Sequence, residues 1–255
     1  MTTLFLLRLP VNLAALNRFA AQRGFLHDGH DRLLDEGLVL HHLLSETFGK
    51  GALQPFRLLP APGARQASLY GYSSQGAAGL REMAELTSLP EALDVLQVEN
   101  LQDKPMPLDK LTIGRRLGFD ILLRPVMRAR EDGAERDAYQ LEAERTFPDQ
   151  KGTLAASGRT RTNVYLDWLQ ARLGKAAQLE REASRLARFQ RRRVLRNGKL
   201  VEGPDALIHG ALTIQETEDF IHLLKRGVGR HRAYGYGMLL LRPPSAHGNP
   251  AARGG

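Results

Sequence analysis

The stretch Gly227-Val228-Gly229-Arg230-His231-Arg232-Ala233-Tyr234-Gly235-Tyr236-Gly237 constrains the chain more than any other. Two Gly-x-Gly pairs flank five residues. Glycine lets the backbone approach a ligand closely and adopt positive φ, so this segment reads as a binding loop. Arg230, His231 and Arg232 put cationic donors at its tip. Tyr234 and Tyr236 suit stacking on bases or filling a groove. The loop follows a predicted helix and precedes a predicted strand, the reverse of the strand-to-helix setting of a dinucleotide fingerprint. Its spacing does not match a Walker loop either.

The rest of the chain reads as strands and helices in a repeated order. Residues 3–9 form a first strand ending at Pro10, and residues 11–23 a helix stopped by Gly24. A second helix runs over 35–48. Two strands, 53–59 and 67–73, flank a Pro/Gly turn. Residues 77–87 read as a helix and 92–99 as a strand. This is the β-α-β-β-α-β order of a ferredoxin-like domain, its first helix doubled. Gln102 to Pro107 reads as a connector. A second such unit follows, with a strand at 117–126, a helix at 163–173, a long basic helix at 175–196, a strand at 206–214, a helix at 217–225 and a strand at 238–242. The expected fold class is therefore α+β: two tandem ferredoxin-like (RRM-like) domains, 1–104 and 105–242. The second carries a basic helical insertion at 175–196 and the glycine-rich loop at 227–237, and a flexible tail at 243–255 follows.

The expected basic helix carries Arg181, Arg185, Arg188 and Arg192 every three or four residues, a stripe extended by Arg196, with Arg191 and Arg193 widening the surface. A helical stripe with a pitch of about 5.4 Å matches successive phosphates. Such contacts give affinity and salt dependence more than sequence choice. The net charge of +8, with arginine outnumbering lysine, points the same way, because the forked guanidinium suits phosphate. Arg116-Leu117-Gly118-Phe119 is only a fragment of an RNP1 sequence, so stacking of bases on a sheet face is not expected. The absence of cysteine removes disulfides, thiolate catalysis and cysteine-bound metal, and suits a cytoplasmic protein. No apolar run approaches the roughly 20 residues of a membrane span. His27 and His30, in His-Asp-Gly-His-Asp, lack the helical His-Glu-x-x-His spacing, so no metal is expected there. No cofactor is expected.

The glycine-rich loop followed by Met238-Leu239-Leu240-Leu241-Arg242-Pro243 resembles the C-terminal signature of the RAMP superfamily, above all the CRISPR repeat-processing endoribonucleases of the CasE type and the related processing protein of type IV CRISPR systems. Ile113-Gly114-Arg115-Arg116-Leu117-Gly118-Phe119-Asp120, Arg124-Pro125 and Tyr165-Leu166-Asp167-Trp168-Leu169 resemble the same branch. The resemblance implies a metal-independent endoribonuclease. It would cleave CRISPR repeat RNA (pre-crRNA) at a hairpin by 2′-hydroxyl attack, then stay with the mature crRNA among the subunits of an effector complex. The alternative is a non-catalytic crRNA-binding subunit of the same ribonucleoprotein.

In CasE-like relatives the catalytic histidine often follows a tyrosine by three residues. Leu38-Val39-Leu40-His41-His42 is the matching place, with His41 as the histidine and Leu38 where the tyrosine would stand. Histidine suits a general base because its ordinary pKa lies near 6.5. Arg23, ending the first helix, and Arg242, ending the last strand, are candidates to orient the phosphate and stabilise charge. The expected RNA-binding residues are Arg181, Arg185, Arg188, Arg192 and Arg193 on the basic segment, with Gly229, Arg230, His231, Arg232 and Tyr234 in the loop. His209 reads as structural.

Overall fold

The structure is a computed structural model and describes residues 3–25, 34–60, 63, 65–129, 133–148, 154–196 and 199–244. His27, His30 and the tail from residue 245 lie outside the described residues.

In the first half, β1 (Phe5–Asn12) leads into α1 (Leu13–Gln22) and α2 (Glu36–Phe48), followed by β2 (Phe56–Pro60), β3 (Gln66–Ser73), α3 (Ala77–Thr87), α4 (Pro90–Val95) and β4 (Gln102–Pro105). The strands form an antiparallel sheet in the order β2-β3-β1-β4. Side-chain caps fix the starts of α1 and α2. Asn12 accepts from the Ala14 and Ala15 amides, and Asp35 from the Leu38 amide, satisfying donors that a first turn leaves open. Alternation along β1 sends Leu7, Leu9 and Val11 into a core with Leu16 and Phe19 of α1 and Leu40, Leu43 and Phe48 of α2.

The second half repeats the plan. β5 (Arg116–Leu123) is followed by a small ribbon, β6 (Val126–Arg128) and β7 (Glu135–Asp137), and by α5 (Ala138–Thr146) and α6 (Arg161–Leu173). Then come β8 (Ala177–Arg196), β9 (Lys199–Ile214), α7 (Thr217–Arg226) and β10 (Leu239–Arg242). The main sheet is ordered β10-β5-β9-β8. Phe119, Ile121 and Leu123 of β5 pack with Tyr165 and Leu169 of α6, Ile208 and Leu212 of β9, and Phe220 and Leu224 of α7. Two ferredoxin-like domains are thus in place.

Two expectations are corrected. Residues 92–99 are not a strand: Ala92 and Val95 are the buried side of the short helix α4, which begins at Pro90. The fourth strand is β4, inside the expected connector. All four of its residues are exposed, so it carries no apolar alternation to read.

The second correction concerns residues 175–196, which form no basic helix. They enter the 20-residue strand β8, which pairs with β9 from Ala177↔Ile214 to Arg196↔Lys199. Two register irregularities interrupt the pairing, between Glu180 and Arg185 and between Leu186 and Arg188. An extra residue in a strand resets the side-chain phase. Arg185 pairs with His209 and Arg188 with Leu207, so residues three apart share one face of the sheet. That spacing imitates a helical stripe. The dipeptide Asn197-Gly198 is a hairpin signal that opposes the helix reading.

Each sheet has an open face, away from its helices, and the open faces approach one another. The Tyr72 hydroxyl of β3 donates to the Leu239 carbonyl of β10 at 2.8 Å. Leu4 and Tyr72, from the first half, are buried in the core of the second.

Candidate active site

The glycine-rich loop lies on the first turn of α2. A Cβ on Gly37 would sit 2.4 Å from the Tyr234 carbonyl oxygen, so only glycine admits this approach. One turn further along α2, His41 meets Tyr234 edge-on, with ring centroids 5.6 Å apart at 77°. His42 is a second ring neighbour of His41, at 5.7 Å. His42 itself packs on Phe25. The exposed side of His41 borders a small cavity lined by Ser45, Gly49, Gly51, Gln54 and Phe56. Burial, then the charges of His42 and Lys50, push the His41 imidazole below its ordinary pKa. A neutral imidazole can accept a proton.

The loop is held by its own contacts. Gly227 caps α7 at φ 77°, and Gly229, also at φ 77°, approaches Trp168 so closely that a Cβ would lie 2.6 Å from the indole ring. His231 takes a left-handed conformation, φ 61°. Its Nε2 lies 2.7 Å from Glu135 of β7, which also pairs with Arg230 at 2.8 Å. Arg232 donates to the Arg226 carbonyl at 3.0 Å. Behind the loop, the Tyr236 hydroxyl donates to Asp205 at 2.7 Å, and Asp205 pairs with Arg124 in a fully buried group. Burial raises the Tyr236 pKa above its ordinary value.

The other expected residues are spread over this surface. Arg192 of β8 donates to Glu36, in the first turn of α2, at 3.2 Å. It therefore links the long hairpin to the helix that carries His41. Arg191 and Arg193 both pair with Glu202, and Arg181 pairs with Asp167. Arg185 and Arg188 stand exposed on the open face of the second sheet. Arg23 lies over the Phe19 ring and 4.0 Å from Glu46, on the His42 side of α2. Arg242 is 3.6 Å from Asp120. The polar partners of Arg23 and Arg242 thus differ from the ring neighbours of His41. The sequence marks Arg124 only as part of the Arg124-Pro125 resemblance; its pairing with Asp205, and the buried Arg57 of β2, are not legible there. Their partners come from strands far apart in the chain, and no local spacing marks them.

A family model described as CRISPR associated protein matches residues 4–243. The chain belongs to that family. No curated protein matches this CRISPR-associated protein in sequence. Its fold resembles that of Thermus thermophilus Cse3 bound to an RNA representing a pre-cleavage complex. The identity is 20% and the TM-score 0.64, covering 94% of this chain and 100% of the other. The CRISPR-associated protein Cas6e from Escherichia coli str. K-12 matches at 19% identity and TM-score 0.55, covering 94% of this chain and 99% of the other. A chain of a CRISPR RNA-guided surveillance complex in a pre-nicking state matches at 16% identity and TM-score 0.53, covering 94% and 99%. At these identities the likeness is one of fold. Among the described residues, no helix is long and apolar enough to cross a membrane, and no group of three histidine, cysteine or acidic side chains could hold a metal ion.

Proposed function

We propose that this CRISPR-associated protein is a metal-independent endoribonuclease that cuts CRISPR repeat RNA at a hairpin and remains bound to the mature crRNA within an effector complex. The observation that carries this reading is the edge-on contact of His41 with Tyr234 of the glycine-rich loop; burial pushes the same imidazole below its ordinary pKa, which favours the neutral form. The likeness to Cse3, described as a CRISPR endoribonuclease and solved with RNA, supports it. The likeness to a chain of an RNA-guided surveillance complex supports the effector partners.

In the proposed reaction, His41 takes the proton of the 2′-hydroxyl at the cut. The 2′-oxygen bonds to the adjacent phosphorus as the bond from phosphorus to the 5′-oxygen breaks. The products are a 2′,3′-cyclic phosphate and a 5′-oxygen that leaves as a hydroxyl by taking a proton from water, to which the protonated His41 then returns its own. Charge accumulates on the phosphoryl oxygens, and nearby cationic donors offset it. Arg23 and Arg242 are the candidates for that task. Gly229, Arg230, His231, Arg232 and Tyr234 present the loop to the RNA. Arg181, Arg185, Arg188, Arg192 and Arg193 bind its backbone along β8. A two-stranded ribbon carrying this much arginine serves phosphate contact as a helix would.

The test uses a CRISPR hairpin repeat RNA, in EDTA, with and without a single 2′-deoxy substitution at the cut. The proposal expects cutting of the ribose substrate only, with a cyclic phosphate end. Cleavage of the deoxy substrate, or loss of cleavage in EDTA, contradicts the mechanism. Tight binding with no cutting points to a non-catalytic crRNA-binding subunit, which Leu38 in the tyrosine position favours.

A further inference from the structure

The two open sheet faces enclose a group of charges that does not balance. Arg57 sits on β2 opposite Tyr70, on the face away from the first core. It is only 7% exposed, and its Nη1 is buried without a hydrogen-bond partner. Asp120 of β5 pairs in register with His209 of β9, and His209 with Arg185 of β8. The His209 ring lies 3.3 Å from Asp120, and Arg242 lies 3.6 Å from the same carboxylate oxygen. The Arg242 Nε is also buried with no hydrogen-bond partner. Arg57 feels the charges of Asp120 and Arg188, and His209 those of Asp120, Arg242, Arg185 and Arg57.

One carboxylate, Asp120, is therefore set against a group of four guanidinium charges: Arg242 lies beside it, Arg57 feels its charge, Arg188 acts on Arg57, and Arg185 acts on the paired His209. Glu180, further along the same sheet, is held by Arg116 at 2.8 Å. Burying a cation without a counter-charge is costly. A guanidinium that keeps an open donor in a buried position is prepared for an anion. The site remains open on one side, because Arg185 and Arg188 are exposed there. The register irregularity between Leu186 and Arg188 is what turns both arginines to this face. Forked guanidinium donors match the oxygens of a phosphate, and several of them around one point suit its charge.

We propose that Arg57, Arg185, Arg188 and Arg242, gathered around Asp120 and His209 between the two sheets, form a site for a phosphate group, and that in the working protein this is a phosphodiester of the bound RNA chain. The identification of the RNA rests on the proposed function; the anion site does not. It moves Arg242 from the cut to the holding of the chain. RNA would then cross the open faces by its backbone.

The experiment has two arms on the full chain, comparing wild type with Arg57→Gln. The first follows thermal unfolding in inorganic phosphate against chloride at equal ionic strength. A ligand that binds only the folded state raises the midpoint, so wild type should gain and Arg57→Gln should not. The second measures binding of the repeat RNA, blocked by a 2′-deoxy residue at the cut, across a range of salt. Arg57→Gln should weaken binding by about tenfold and reduce the salt slope by about one. Loss of both effects in the variant supports the proposal. Phosphate protection that is lost while RNA affinity and slope stay at the wild-type value assigns the site to a free phosphate and overturns the RNA source. Wild-type behaviour of the variant in both arms overturns the site itself. If Arg57→Gln does not fold, Arg188→Gln on the exposed rim gives the same two readouts. Failure of the chain to cut RNA would leave both arms intact, so the two readings fall separately.

Discussion

The rings of His41 and Tyr234 meet edge-on with centroids 5.6 Å apart, joining a helix of the first domain to the glycine-rich loop of the second. This contact sets the orientation of the imidazole. Tyr234→Phe keeps the ring and should cut at close to the wild-type rate. Tyr234→Ala frees the imidazole, and the single-turnover rate should fall about tenfold, a loss of about 1.4 kcal/mol of transition-state stabilisation. Equal rates for Tyr234→Ala and wild type would remove the contact from the mechanism.

His41 should titrate below its ordinary value, with burial as the main cause and His42 as the next. The proposed base acts when neutral, so cleavage should rise with pH through the His41 pKa and then level. His42→Ala removes one lowering charge, so the acid limb and the imidazole NMR titration should both move up toward 6.5. The sign for stability follows from proton counting. The unfolded chain protonates this histidine first, so a penalty on folding appears as pH falls below the ordinary value and is complete below the folded one.

Gly37→Ala tests the approach of the loop to α2. In an open helix this change stabilises by up to about 1 kcal/mol. Here the added Cβ meets a backbone carbonyl at 2.4 Å, and overpacking of that kind costs about 1–3 kcal/mol. The clash should win, lowering the unfolding midpoint by several degrees in a thermal melt and slowing cleavage.

Asp205 supports the loop from behind, accepting from Tyr236 and pairing with Arg124, both partners of the ion pair being 3% exposed. Asp205→Ala strands a buried guanidinium, which costs about 3–5 kcal/mol. Denaturant unfolding should show the loss, and double replacement of Asp205 and Arg124 by apolar residues should recover part of it.

Arg185→Ala and Arg192→Ala should each weaken RNA binding and flatten its dependence on salt. Arg185 is exposed, whereas Arg192 is committed to Glu36. Arg192→Ala should therefore also lower the unfolding midpoint. A salt slope unchanged by both variants would remove β8 from the interface.

Much of this was legible in the sequence, for physical reasons. Amphipathic segments with a side-chain cap and a glycine stop, such as α1 and α2, follow from local pattern, as does α7 with its glycine stop. The glycine-rich loop lies where its composition placed it. β4 was hidden because an exposed edge strand carries no alternation. β8 has the arginine spacing of a helix because its register irregularities turn a period of two into a spacing of three. His41 is a candidate from its place in a motif, but its ring neighbour Tyr234 lies 193 positions away in the chain (234 − 41). The meeting of Arg57 with Asp120 and Arg188 needs two sheets to close on each other, and no single segment encodes that.

The most direct test is single-turnover cleavage of the hairpin repeat RNA in EDTA by wild type and His41→Ala, with folding of the variant checked by its unfolding midpoint. The account predicts cutting by wild type and a loss of about 100-fold or more in the variant, within the range expected for removal of a general base. A folded His41→Ala protein that cuts at the wild-type rate would contradict it.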